Sequence, residues 1–127
     1  MHRILVLEDD HLMREAFKDA LETDGFEVVA CSHGRHALEA AASLKPDLAL
    51  LDVELPDMSG LDVCSELKSN PATRDIPVVI MTGKVREVVD QIRGLDLGAE
   101  DYLLKPISID VLRARIRSIL KSRIKAA

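Results

Sequence analysis

Five short apolar runs, at 4–7, 26–30, 48–51, 76–81 and 102–104, constrain this chain more than any other feature. None alternates polar with apolar residues, so none reads as a strand with one wet face. Short continuous runs of this kind fit a parallel sheet covered on both sides. Helical patterns lie between them. Met13, Ala16, Phe17, Ala20 and Leu21 recur at the spacing of one apolar helical stripe. Val85, Val88, Val89, Ile92 and Leu95 repeat it, as do Leu112, Ile116, Ile119 and Leu120. Shorter versions are Ala37, Leu38, Ala41 and Ala42, and Gly60, Val63, Cys64 and Leu67.

Five strand-plus-helix units predict an α/β domain, with right-handed crossovers laying helices on both faces of a parallel sheet. A closed barrel of eight such units needs roughly 250 residues, about twice the 127 present. The expected form is therefore an open, doubly wound sheet. Residues 1–127 read as one domain with its core over 3–123, and 121–127 as a helix end or the start of a linker. With only 2% aromatics, that core must be built from Leu, Val, Ile and Ala.

Composition narrows the class further. A net charge of -5 argues against direct nucleic-acid binding. No apolar run approaches the roughly 18 residues of a membrane span. The N-terminus enters the first strand at Arg3-Ile4-Leu5 without signal-peptide architecture, so a cytoplasmic protein is expected. Cys31 and Cys64 have no CxxC spacing and read as small buried hydrophobes.

In open α/β sheets the site lies beyond the carboxyl ends of the strands. The first run ends in Glu8-Asp9-Asp10, the third in Asp52, the fourth in Thr82-Gly83 and the fifth in Lys105-Pro106. Each alone has a plain structural reading: Asp10 as the cap of the first helix, Lys105 as a solvated charge, Thr82 as a strand-end cap. Together they place three or more carboxylates, a hydroxyl and an amine on one edge. Clustered carboxylates raise their own pKa values unless a cation sits among them. Several hard oxygens suit Mg²⁺, and a metal, a lysine and a hydroxyl around one carboxylate can neutralise a phosphoryl group in transfer.

Four stretches carry a resemblance: Ile4-Leu-Val-Leu-Glu-Asp-Asp10, Leu50-Leu-Asp-Val-Glu-Leu-Pro-Asp-Met-Ser-Gly60, Val79-Ile-Met-Thr-Gly83 and Gly98-Ala-Glu-Asp-Tyr-Leu-Leu-Lys-Pro106. In these the chain resembles the receiver domains of two-component response regulators, from Arg3 to about Arg123. The resemblance implies a flavodoxin-like (βα)5 domain with strand order 2-1-3-4-5. It implies a signalling switch that accepts a phosphoryl group from a phosphohistidine donor. The partner would be a sensor histidine kinase or a histidine phosphotransfer protein, and no enzyme activity is implied beyond self-phosphorylation and autodephosphorylation.

Residue by residue, Asp52 matches the phosphoacceptor, which also touches the metal, and Glu8 and Asp9 the acid pair that holds Mg²⁺, with Asp9 the direct ligand; Mn²⁺ can substitute. Glu54 matches the position whose backbone carbonyl completes the coordination. Lys105 matches the lysine that contacts the acyl phosphate, followed by Pro106 across a commonly cis bond. Thr82 and Tyr102 match a switch pair: the threonine moves toward the phosphate and the ring turns inward. Glu54 and Lys84 match positions that tune the lifetime of the phosphoryl group. The stretch from Thr82 to Lys105 is one residue longer than in the commonest members, and the extra residue is expected within 83–87.

Two surfaces are also implied. His11, Leu12, Arg14, Glu15 and Lys18 on the first helix form a kinase-docking face beside the Met13–Phe17 stripe. The fourth helical stretch, the fifth strand and the last helix form an output face. There Asp96, Asp101, Arg115 and Arg117 resemble the residues of a symmetric dimer, pairing Asp101 with Arg115 and Asp96 with Arg117. A third pair is missing, since Gln91 and Val111 stand at its positions, and a non-dimeric protein effector remains the alternative. Haloacid-dehalogenase-type phosphatases share the strand-end Asp, Mg²⁺ and Lys, but need a second Asp where this chain has Glu54.

Overall fold

The computed structural model describes residues 2–83, 92, 93 and 95–126. The chain runs β1 (Arg3–Leu7), α1 (His11–Thr23), β2 (Glu27–Cys31), α2 (Gly34–Leu44), β3 (Leu48–Asp52), α3 (Gly60–Ser69), β4 (Val78–Thr82), β5 (Asp101–Leu104) and α4 (Ile109–Ala126). The five strands form one parallel sheet in the order β2-β1-β3-β4-β5, the order the resemblance implies.

The continuous apolar runs are explained by two cores, one on each face. Successive strand residues point to opposite sides. Leu5, Leu7, Ala49, Leu51, Val78 and Ile80 pack with Ala37 and Ala41 of α2 and with Leu61, Val63, Cys64 and Leu67 of α3. Their neighbours Ile4, Val6, Leu48, Leu50, Val79 and Met81 pack on the other face with Phe17 and Leu21 of α1 and Leu112, Ile116 and Leu120 of α4. A one-residue slip in any central strand would exchange its two faces.

Several expected boundaries and stripes need correction. The fourth strand begins at Val78 rather than 76, because Pro77 has no N–H to give a ladder and supplies only its carbonyl, to Ala49 N–H at 2.9 Å. Ile76 is buried but precedes the strand. Ala16 and Ala42, placed in apolar stripes, are exposed; a methyl group at the stripe edge loses little by facing water. Val85, Val88 and Val89 lie outside the described residues. Ile92 and Leu95 are helical but 52% and 47% exposed, so they face outward rather than into the core.

Local signals behave as physical chemistry dictates at α1. Asp10 accepts a hydrogen bond from Met13 N–H at 2.9 Å, as an N-cap. Gly25, at φ 89°, ends the helix by closing Gly25 N–H onto the Glu22 carbonyl. The start of α2 is capped differently. His33 offers it no side-chain bond; Asp57, in the loop after β3, accepts from Gly34 N–H at 2.8 Å and Arg35 N–H at 3.0 Å. Those backbone bonds hold the Asp57 carboxyl below its usual pKa.

Cys31 is half-buried and Cys64 buried, both as free thiols. Burial raises the pKa of each, which makes them poor nucleophiles. Among the described residues, no helix is long and apolar enough to cross a membrane.

Candidate functional site

Because every strand runs the same way, their carboxyl ends share one edge. Glu8 and Asp9 follow β1, Asp52 closes β3, Thr82 closes β4 and Lys105 follows β5. Backbone bonds continue the alignment past the strands: Glu8 N–H donates to the Cys31 carbonyl at 3.1 Å, Val53 N–H to Met81 at 2.9 Å, and Lys105 N–H to Thr82 at 2.7 Å. The Lys105-Pro106 peptide is cis, as the resemblance implies.

The sequence-predicted groups converge in a cleft of about 190 Å³ lined by Glu8, Asp9, Asp10, Asp52, Glu54, Gly83 and Lys105. The Lys105 ammonium is its centre. It lies 2.7 and 2.8 Å from the two carboxylate oxygens of Glu8 and 3.2 Å from Asp52 Oδ2. Asp52 Oδ1 accepts from Glu54 N–H at 3.3 Å. Asp52 and Glu8 are only 3% and 1% exposed, so their charges interact with little screening.

Burial lifts the Glu8 carboxyl to about 7; Lys105 opposes the rise and neighbouring Asp52 adds to it. Burial works against the Lys105 ammonium, but its bonds and proximity to Glu8 and Asp52 outweigh this and hold its pKa above the ordinary lysine value. One lysine thus stands among three carboxylates, which leaves the cluster short of positive charge.

A hard divalent cation fits that deficit. Glu8, Asp9 and Asp52 each present an oxygen, all within 4.8 Å of one another. Opposite oxygens on an octahedral Mg²⁺ are roughly 4.2 Å apart, twice the metal–oxygen distance. The cluster is therefore close to coordination size, and carboxylates are the donors Mg²⁺ takes.

Other predicted residues are placed less simply. Thr82 is buried at the cleft, and its hydroxyl donates to Glu54 Oε1 at 3.3 Å. Glu54 thus turns toward Thr82, the threonine expected to act in the switch; Lys84, its expected partner in tuning, lies outside the described residues. Tyr102 is already buried, 8% exposed, with Leu97 and Ala99 packed against the same cluster.

On the face expected to carry the output, Arg115 bonds Asp101 Oδ2 at 2.9 Å within one chain. Arg117 turns elsewhere, to Asp24 at 3.2 Å, because residues two apart on a helix point about 200° apart. Arg113 joins the same Asp24, and its guanidinium hydrogen bond holds that carboxyl below its usual pKa. Asp96 is exposed, and Gln91 lies outside the described residues. Val111 is 48% exposed, as its position on the outer side of the helix predicts, and on α1 Leu12 is 78% exposed.

Two contacts beside this edge are not announced by the sequence. Arg14, expected on the docking face, folds back onto the carbonyls of Glu8 and Asp9. Asp57 ties the loop after Asp52 to α2. Neither carries a sequence signal: the Arg14 bonds depend on how a long side chain turns after folding, and Asp57 acts over 23 residues.

The fold and this strand-end edge define a phosphorelay receiver, and the family model described as "Response regulator receiver domain" matches residues 4–117. The chain belongs to the response regulator receiver domain family of two-component systems. It is similar to the response regulator MprA of Mycolicibacterium vanbaalenii, 40% identical over 119 residues that cover 94% of this chain and 50% of that protein. The chain therefore spans about half the length of the curated relatives it matches. Among solved structures it resembles a CheY-like response regulator receiver domain protein from Methanospirillum hungatei, with TM-score 0.94 and 26% identity over 100% of this chain and 99% of that one. The BeF3-activated N-terminal receiver domain of Klebsiella pneumoniae RstA matches with TM-score 0.84 and 34% identity, over 93% of this chain and 97% of that one.

Proposed function

We propose that this domain is a Mg²⁺-dependent phosphoacceptor switch in which Asp52 takes a phosphoryl group from a phosphohistidine of a sensor kinase or phosphotransfer protein. The observation that carries this reading is the Lys105 ammonium, held between buried Glu8 and buried Asp52 at the end of β3. A carboxylate oxygen of Asp52 forms the new O–P bond as the donor's N–P bond breaks, and the imidazole departs as the leaving group. Glu8, Asp9, Asp52 and the Glu54 carbonyl would hold the metal. When bound, Mg²⁺ withdraws charge from the phosphoryl oxygens and brings the donor in line.

Lys105 serves the opposite side, neutralising a phosphoryl oxygen from within 3.2 Å of the acceptor. Thr82 supplies a neutral donor once its hydroxyl leaves Glu54. No second substrate is turned over: the chemistry is confined to loading and losing the group on Asp52. Incubation with acetyl phosphate and Mg²⁺ should add one acyl phosphate per chain, read by intact mass, and chelation of Mg²⁺ should prevent it. Labelling that persists undiminished in excess chelator would refute the metal's part.

The output passes through the surface beside β5. The exposed large apolar residues of the described chain, apart from Leu12 and Leu44, are Ile92, Leu95, Leu104 and Val111. They belong to the fourth helical stretch, the end of β5 and the start of α4. Those exposed apolar residues are the groups this face offers a partner, and they support a protein effector in preference to a symmetric dimer held by ion pairs. With beryllofluoride and Mg²⁺ the domain should sediment as a monomer; an activation-dependent dimer abolished by Arg115→Glu would reverse this choice.

A further inference from the structure

The side chain of Arg14 folds back from its helix face onto the end of the first strand, while staying partly exposed. Its Nη1 donates to the backbone carbonyl of Glu8 at 3.0 Å and to that of Asp9 at 3.3 Å. Its Nη2 lies 3.0 Å from His11 Nδ1. The sheet ladder gives these carbonyls nothing: β1 pairs only through Leu7, and beyond it Glu8 uses its N–H on the Cys31 carbonyl. Backbone carbonyls at a strand end need a donor, and a planar guanidinium with a fork of N–H groups can serve two at once.

We propose that Arg14 is a positioning residue for the metal site, fixing the backbone of Glu8 and Asp9 so that their carboxylates meet Asp52 in one place. The inference rests on the Mg²⁺ reading above and adds a residue that touches neither metal nor phosphoryl group. The anchor is stiff. Arg14 stands on α1, whose start is locked by Asp10 accepting from Met13 N–H, and whose Phe17 and Leu21 are fully buried. The acidic segment is thereby tied to the core through Arg14 as well as through the Glu8 N–H bond to Cys31.

Two physical effects of Arg14 have opposite signs. Its positive charge near the carboxylates disfavours a cation, while its hydrogen bonds pre-order the ligands and favour one. Ordering through fixed bonds at contact distance outweighs repulsion by an exposed-side charge that solvent screens. Removing Arg14 should therefore weaken Mg²⁺ binding, although it makes the site more negative.

The test is calorimetric titration of the whole chain with Mg²⁺, comparing wild type with Arg14→Ala, Arg14→Gln and Arg14→Lys. Arg14→Ala should raise the Kd about 10-fold, the low end for a lost supporting contact at a metal site. Lys keeps a donor of nearly the same reach and should fall between Ala and wild type, whereas Gln, two bonds shorter than the Nη that makes these contacts, should lie close to Ala. In acetyl phosphate labelling, the Mg²⁺ concentration for half-maximal label should shift by the same factor, with the maximum at saturating Mg²⁺ little changed.

Unchanged or tighter binding in Arg14→Ala overturns the proposal. So does a maximum that stays low at saturating Mg²⁺, since Arg14 would then act on the chemistry or the fold. Should Arg14→Ala fail to fold by circular dichroism, the Gln and Lys variants decide by the same criterion. Failure of wild type itself to bind Mg²⁺ would overturn the metal reading and this inference together; wild-type binding with indifferent variants overturns this inference alone.

Discussion

Asp52→Asn should reduce acetyl phosphate labelling to background while leaving the domain folded. The variant keeps the size and shape of the side chain and removes the only property the reaction needs, an ionised oxygen able to form a bond to phosphorus. Oδ1 sits 3.3 Å from Glu54 N–H and Oδ2 3.2 Å from Lys105 Nζ, and an amide oxygen can still accept one of those bonds. The fold should tolerate the change for an electrostatic reason as well. Asp52 is one of the groups that raise the Glu8 carboxyl, so its neutralisation relieves like-charge repulsion in a buried site. The paired measurements are intact mass after labelling and urea denaturation. Full labelling of the Asn variant would displace Asp52 as acceptor, and labelling lost together with the folded state would make the variant uninformative about chemistry.

How much of this was legible in the sequence depends on whether a feature is local or arises between elements. The strands were readable because a parallel sheet buried on both faces demands continuous apolar residues: Leu50 and Leu51 are both fully buried, one on each face. The site was readable because parallel topology alone brings Glu8, Asp52, Thr82 and Lys105 to one edge. The Asp10 cap is a contact over three residues and carries its own signature. What was not readable depends on the path of a side chain after folding. Arg14 and Leu12 are neighbours on one helix, yet one turns back to the strand end and the other stands in solvent. Arg115 and Arg117 matched one family surface in sequence, but the helix carries them to different sides. Asp57 caps a helix 23 residues earlier in the chain, and Thr82 bonds Glu54 across 28 residues. No pattern of spacing announces such contacts.

The largest effect on stability from a small change is expected at Gly60, the first residue of α3. A Cβ there would stand 2.0 Å from the Asp52 carbonyl oxygen, 2.7 Å from its carbon and 2.8 Å from Val53 Cα. All three are backbone atoms, so no side-chain rotation can make room. The helix cannot retreat cheaply either. Gly60 N–H donates to the Val53 carbonyl at 2.8 Å, and Leu61, Val63, Cys64 and Leu67 of α3 are buried against the sheet. Alanine's better helix propensity offsets at most about 1 kcal/mol, whereas overpacking of a fixed core costs up to about 3 kcal/mol or more. Gly60→Ala should therefore destabilise the domain by about 2 kcal/mol or more, and by displacing the backbone of the acceptor it should also depress labelling in whatever fraction remains folded. Gly83→Ala is the matched control at the same edge of the sheet. Among the described residues, a Cβ there would meet only Lys105 Cβ and Cδ at 3.9 Å, ordinary contact distances, and stability should change by no more than about 0.5 kcal/mol. Urea denaturation of the two variants separates the cases; equal midpoints would mean that α3 is free to shift away from the end of β3, and that Gly60 does not set the approach of that helix to Asp52.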